Sequence, residues 1–157
     1  MNVYLFVKWL HVLSSVLLVG TGFGSAFYLF FANRTPSLEA RAVVARLVVR
    51  ADLWFTTPAV IVQPLSGAWL AHSAGWPLST PWLAASIGLY LAAGACWLPV
   101  LALQLKMARE VEAALREARP LSPRYGVWQR RWELLGYPAF AAMLAVFFLM
   151  VNKPALG

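Results

Sequence analysis

The sequence has few of the residues from which soluble active sites are built. Of its 157 residues only 12% are charged, two are histidine and one, Cys96, is cysteine. A lone cysteine excludes an internal disulfide and any zinc or iron–sulfur site with several cysteine ligands. Because 61% of the residues are hydrophobic and the mean hydropathy is +0.67, the chain is not a soluble globule, and we expect lipid to cover its apolar surface.

Acidic residues are also scarce, and the excess of cations is unevenly distributed. The chain has 13 Lys and Arg against 6 Asp and Glu. Eleven of the 13 cations lie in two stretches, residues 33–50 and 106–131, which we call the charged segments. Cations confined to loops between apolar spans report membrane orientation, so we predict no nucleic-acid partner. The positive-inside rule predicts both charged segments in the cytoplasm and both termini outside.

Four apolar stretches are long enough to cross a bilayer, which takes about 20 residues. They cover about residues 4–31, 53–72, 82–105 and 134–151. The first far exceeds the apolar region of a secretory signal peptide, so we expect it to stay as a helix. The prediction is an all-α, multi-pass protein of the bacterial inner (cytoplasmic) membrane, with residues 1–157 forming one four-helix transmembrane domain.

The charged segments themselves have helical signals. Thr35 followed by Pro36 predicts an N-cap and a first helical residue, so the second span would begin as a surface helix. The third span would continue past Lys106 and end before Pro120. We therefore expect cytoplasmic helical extensions on the bundle.

The two histidines are predicted near the same outer edge of the membrane. His11 follows Lys8 by three residues on a helix face rich in small residues, and His72 closes the second span. Ionisable groups inside a span usually face a cavity or a partner. One hypothesis is therefore a heme with His11 as axial ligand, Lys8 near a propionate and His72 as second ligand. The alternative is that Lys8 and His72 only reach water or lipid headgroups and that His11 is structural.

Other polar residues near the spans favour structural roles. We expect Gln63 to bond a carbonyl freed by the following Pro64. Asp52 is expected to pair with Arg50 or to face water at the inner boundary.

Six motifs along the chain resemble a family of small bacterial membrane proteins of unknown function. They are K-W-L-H-V-L-S-S (8–15), G-T-G-F-G-S-A-F (20–27), F-T-T-P-A-V-I-V-Q-P (55–64), G-A-W-L-A-H (67–72), A-C-W-L-P-V (95–100) and R-R-W…G-Y-P-A-F (130–140). The K-x-x-H of the first span, the G-x-W-L-A of the second and the V-x-K-P near the end are more distantly similar to the HemJ-type protoporphyrinogen oxidases. That resemblance implies heme b, with His11 at the heme-ligating position.

Two functional hypotheses follow. The first is a heme-b protein that acts in or beside membrane redox chemistry, with a membrane redox partner or as a homo-oligomer. The second is a membrane scaffold or assembly subunit without a cofactor and without enzymatic activity, whose charged helices bind a partner. No acidic residue is expected at mid-membrane, which argues against an ion-coupled transporter.

Overall fold

The computed structural model describes residues 2–154, and all regular structure in that range is helical. The helices are α1 (Val3–Ala32), α2 (Leu38–Ala51), α3 (Thr57–Ser73), α4 (Pro81–Arg116) and α5 (Arg124–Asn152). A π-helical turn, Asp52–Thr56, joins α2 directly to α3. The all-α prediction is therefore confirmed for the described residues.

The helix ends follow local chemistry. Asn2 caps α1 by accepting from the Tyr4 amide at 3.0 Å, and Pro81 opens α4, where a missing N–H costs nothing. The predicted N-cap at Thr35 is wrong. Ser37 caps α2 instead, and its hydroxyl accepts from the Ala40 amide at 3.1 Å.

Three helices, α1, α4 and α5, are long and apolar enough to cross a membrane. The second predicted span corresponds to α3, which has only 17 residues. With the five residues of the π-helical turn it forms a run of 22. The two predicted extensions are helical as expected, since α2 precedes the second span and α4 continues to Arg116. The predicted fourth span begins near residue 134, but α5 already begins at Arg124.

The helices pack as two pairs, α1 with α3 and α4 with α5, and α2 lies against both α1 and α4. The larger hydrophobic core lies at the end of the bundle that carries the charged segments, which we call the charged end. There Leu29, Met107 and Val111 are at most 1% exposed. A smaller cluster of Ala71, Trp82 and Leu83 closes the opposite end, beside the short turn 74–80.

Away from this core large apolar side chains are exposed on the outside of the bundle, while several polar side chains are buried. Leu91, Phe148 and Val151 are more than 60% exposed, whereas Ser14 and Ser86 are at most 4% exposed. Water would drive the opposite arrangement, so the outer surface suits lipid. This is the architecture of an integral membrane protein.

Candidate functional site

The imidazole of His11 lies between α1 and α3 and is hydrogen-bonded through both ring nitrogens. Nδ1 lies 2.9 Å from Ser66 Oγ, and Nε2 lies 3.2 Å from Gln63 Nε2. The Ser66 hydroxyl donates its one hydrogen to Val62 O at 2.6 Å. We therefore assign the proton to Nδ1, which donates to Ser66, while Nε2 accepts from the Gln63 amide.

The network extends beyond the histidine. The hydroxyl of Ser14, one turn along α1, donates to Gln63 Oε1. Gly67 lies directly against the ring, since a Cβ built there would be 3.0 Å from His11 Cε1. Glycine thus lets the α3 backbone approach α1 closely enough for the side chains to meet. The expectation that Gln63 bonds a carbonyl freed by Pro64 is wrong, because its amide binds His11 and Ser14.

The carbonyl that Pro64 frees belongs to Val60, four residues earlier, and it is bonded from another helix. The Tyr90 hydroxyl of α4 donates to Val60 O at 2.7 Å. This hydrogen bond connects the α1–α3 pair to the α4–α5 pair. It supplies the partner that a backbone carbonyl needs in a lipid environment.

The other two residues of the predicted heme site are not part of this network. Lys8 and His72 are exposed, and neither side chain hydrogen-bonds or forms an ion pair within the described residues. Within residues 2–154 there is also no group of three His, Cys, Asp or Glu side chains arranged to hold a metal ion. Iron ligation by His11 Nε2 would require Gln63 to release it, so the arrangement does not fit heme as it stands.

A cavity of about 440 Å³ lies between the two helix pairs, deeper along α1 than His11. Its walls are mainly apolar and aromatic, with Phe23 and Phe140 stacked at 5.0 Å between ring centroids. Three of its lining residues are glycines on three helices, Gly22, Gly94 and Gly136, and a Cβ at each would meet nothing within 4 Å. The cavity volume is in the range of small-molecule sites, about 300–1,000 Å³.

Toward the charged end the cavity lining becomes polar. Asp52, Gln104 and Trp132 line it there, and each is at most 5% exposed. Each also has a buried polar atom without a hydrogen-bond partner in the described chain: Asp52 Oδ2, Gln104 Oε1 and Trp132 Nε1. We call these three residues the Asp52 cluster. Unpartnered polar atoms in a buried site are rare, and they call for a partner such as a water molecule, an ion or a ligand.

The π-helical turn places Asp52 in the interior. Pro58 cannot donate to the carbonyl four residues earlier, so the regular helical pattern is interrupted just before it. The Thr57 amide bonds Asp52 O across the wider turn, and the Thr56 hydroxyl donates to Asp52 Oδ1 at 2.9 Å. Such turns are frequent at functional sites. The expectation that Asp52 pairs with Arg50 or faces water is wrong, because its side chain is buried and in no ion pair of the described residues.

The charged end is held together by polar contacts between helices. Arg34 at the end of α1 pairs with Glu133 of α5 at 3.0 Å, and its guanidinium lies 3.4 Å from the centroid of the Phe30 ring. The Tyr125 hydroxyl donates to Asn33 Oδ1 at 2.5 Å, and burial raises the pKa of Tyr125 to about 12. These contacts fix the end of α1 against the start of α5.

The apolar exterior and the long apolar helices together define an integral membrane protein. The comparison with known families agrees. The chain matches the family described as "Predicted integral membrane protein (DUF2269)" over residues 5–154, and it belongs to that family. No curated protein and no solved structure matches the chain. The predicted membership of a small membrane family of unknown function is thus confirmed.

Proposed function

We propose that this protein crosses the inner membrane of a bacterium four times, with the charged end in the cytoplasm and both termini outside. The cation distribution supports this orientation, since only Lys8 and Lys153 lie outside the charged segments. The fourth crossing would be made by α3 together with the π-helical turn. Kinks and local thinning of the bilayer accommodate spans of this length at modest cost.

Cysteine accessibility tests this topology. In a Cys96→Ala background, a cysteine at Ala74 should react with a membrane-impermeant maleimide in intact cells whose outer membrane has been permeabilised. A cysteine at Glu117 should react only after the inner membrane is opened. The reverse pattern would contradict the proposed orientation.

We infer that the protein binds a lipid-soluble molecule in the cavity between the α1–α3 and α4–α5 pairs. The observation that carries this proposal is the cavity itself, a space of about 440 Å³ with apolar walls and one polar end. Apolar walls with a few convergent polar groups are the usual composition of a ligand pocket.

Photolabelling of the purified protein in a non-ionic detergent tests the proposal. A long-chain alcohol with a diazirine should label peptides that contain Phe23, Trp97 or Phe140. Gly22→Leu, which fills the cavity without a close contact at Cβ, should abolish this labelling. Gly20→Leu on the same helix is the matched control, because Gly20 lies outside the lining and is equally free of close contacts.

Labelling that Gly22→Leu and Gly20→Leu reduce equally would overturn the cavity proposal. The scaffold hypothesis would then be preferred. It predicts that charge reversal at Arg109 and Arg116 abolishes recovery of a protein partner, whereas His11→Ala does not.

Heme b at His11 stays a prediction from the HemJ resemblance, and a spectrum decides it. The bonding of both His11 nitrogens leads us to expect no Soret band in a reduced-minus-oxidised spectrum of protein expressed in heme-replete cells. A band that is lost in His11→Ala and kept in His72→Ala would establish heme ligation and contradict a purely structural His11.

A further inference from the structure

The polar end of the cavity has a carboxylate without a cation. Asp52 is 3% exposed, Oδ1 accepts from Thr56, and Oδ2 has no partner within hydrogen-bond distance in the described residues, although the Gln104 side chain lies beside the carboxylate. The other carboxylate of the lining, Glu133, is paired with Arg34 at 3.0 Å. A buried carboxylate is costly unless a cation, hydrogen-bond donors or a proton compensates it.

A second unused acceptor lies in the same part of the cavity. Gln104 of α4 is 5% exposed, and its Oε1 has no partner in the described chain. Two acceptor oxygens from different helices suit a group that carries several N–H donors. An ammonium group has three N–H donors, and its positive charge would neutralise the Asp52 carboxylate, which has no cationic partner among residues 2–154.

The aromatic walls favour the same class of ligand. Phe23, Tyr90, Trp97 and Phe140 line the cavity. The faces of such rings attract ammonium ions when water is excluded, and their bodies accept a hydrocarbon chain. The Asp52 carboxylate, the two free acceptor oxygens and the apolar walls of the cavity therefore all favour an amphiphilic cation as ligand.

We propose that the cavity binds a lipophilic ammonium ion, such as a protonated long-chain amine. Its ammonium group donates to Asp52 and Gln104, and its hydrocarbon chain lies between the two helix pairs. The indole N–H of Trp132 is itself a donor and takes no part in holding the cation. This inference rests on the proposed function, because it names the class of ligand for the same cavity.

Two photoactivatable probes with the same diazirine-bearing chain test the inference, one ending in a primary amine and the other in a hydroxyl. At pH 7 the amine is protonated, since alkyl ammonium groups titrate near pH 10. We expect Asp52→Asn to raise the concentration of amine needed for half-maximal cavity labelling about tenfold, which corresponds to about 1.4 kcal/mol. The alcohol should be affected less than twofold.

Matched controls separate charge from folding. Glu112→Gln removes one carboxylate from the exposed surface of α4, outside the cavity lining, and should change neither probe. Gln104→Leu is the second variant and should weaken amine labelling about threefold. Gel filtration and a thermal melt establish that each variant is folded before it is labelled.

The outcomes distinguish the two proposals. Cavity labelling by both probes that Asp52→Asn and Gln104→Leu leave unchanged would overturn the ammonium inference and leave the cavity proposal standing. If neither probe labels the peptides of Phe23, Trp97 and Phe140, the proposed function fails and the inference fails with it. If Asp52→Asn loses labelling by the amine but keeps labelling by the alcohol, the result supports both the cavity proposal and the ammonium inference.

Discussion

Two polar clusters lie inside this bundle, and they differ in whether their hydrogen bonds are complete. Around His11, both ring nitrogens and the Gln63 amide oxygen have partners across the α1–α3 contact. In the Asp52 cluster, three side chains from three segments each keep a buried polar atom without one. The first cluster borders a close helix contact, whereas the second borders a cavity.

This difference separates a structural role from a binding role. A complete buried network holds one arrangement of helices and is costly to disrupt. An incomplete one has already incurred the desolvation cost, which a ligand can recover. The type of residue makes His11 the obvious functional candidate, but the surroundings favour Asp52.

The largest loss of stability is expected from a substitution of Gly67, the glycine that lies against His11 in the hydrogen-bonded cluster. Gly67→Leu places a side chain where a Cβ alone would be 3.0 Å from His11 Cε1. The helices must separate, and we expect a loss of about 3 kcal/mol, at the upper end for overpacking. Thermal unfolding in detergent, followed by tryptophan fluorescence, measures it.

Gly88→Leu in α4 is the control for Gly67→Leu, because a Cβ at Gly88 meets nothing within 4 Å. An equal fall in melting temperature for the two variants would show that the His11 contact is not tightly packed.

Each cluster contains one glutamine, and replacing each by leucine compares the stability that the two clusters contribute. Gln63→Leu leaves His11 Nε2 without its partner and removes one of the two acceptors of the Ser14 hydroxyl, which keeps His11 O at 2.9 Å, so we expect a loss of about 2 kcal/mol. Gln104→Leu removes an amide oxygen that has no partner and the contact of the amide with Asp52, and its effect should stay within about 1 kcal/mol. Denaturation of both variants in the same detergent gives the comparison, and equal losses would remove the distinction between the clusters.

Asn33 offers an intermediate case, with its oxygen bonded and its Nδ2 without a partner in the described residues. Since the pKa of Tyr125 is raised to about 12, its hydroxyl stays protonated and donates to Asn33 at neutral pH. Tyr125→Phe should therefore cost about 1 kcal/mol. Tyr28→Phe, at a side chain 65% exposed, should leave the melting temperature unchanged and serves as control.

The smallest loss of stability is expected for Glu110 at the charged end, and it gives a reference value against which the losses in the two buried clusters can be compared. The Arg119 guanidinium and the Ser122 amide, both at 2.8 Å, hold the pKa of Glu110 below its usual value. Stability from this group is therefore present above the usual Glu pKa and lost as pH falls through the lowered one.

Glu110→Gln should lower the melting temperature slightly at pH 7, and the difference from wild type should vanish well below about pH 4. Melts of both proteins across that range test it. A difference that grows toward low pH would contradict the assigned sign.

The sequence was sufficient for most of the helices, since apolar runs and proline positions predicted the four apolar stretches, α2 and the continuation of α4. It did not predict that α5 begins about ten residues before its apolar stretch. The small-residue face of α1 predicted both Lys8 and His11 to point inward, and only His11 does so, since Lys8 is exposed. The interior position of Asp52 could not be predicted, since the π-helical turn breaks the 3.6-residue register on which such predictions depend. Contacts such as His11 with Gln63 join residues 52 positions apart, and no local pattern specifies them.

The hydrogen bond from Tyr90 to Val60 O couples two positions that no sequence pattern relates. As long as residue 64 is proline, the Val60 carbonyl depends on Tyr90, and losing that hydroxyl leaves a bare acceptor in lipid. With any other residue at 64, a backbone N–H is available and the hydroxyl becomes dispensable. Substitutions at the two positions should therefore be strongly non-additive, so that among natural variants a phenylalanine at 90 is expected to accompany the loss of the proline at 64.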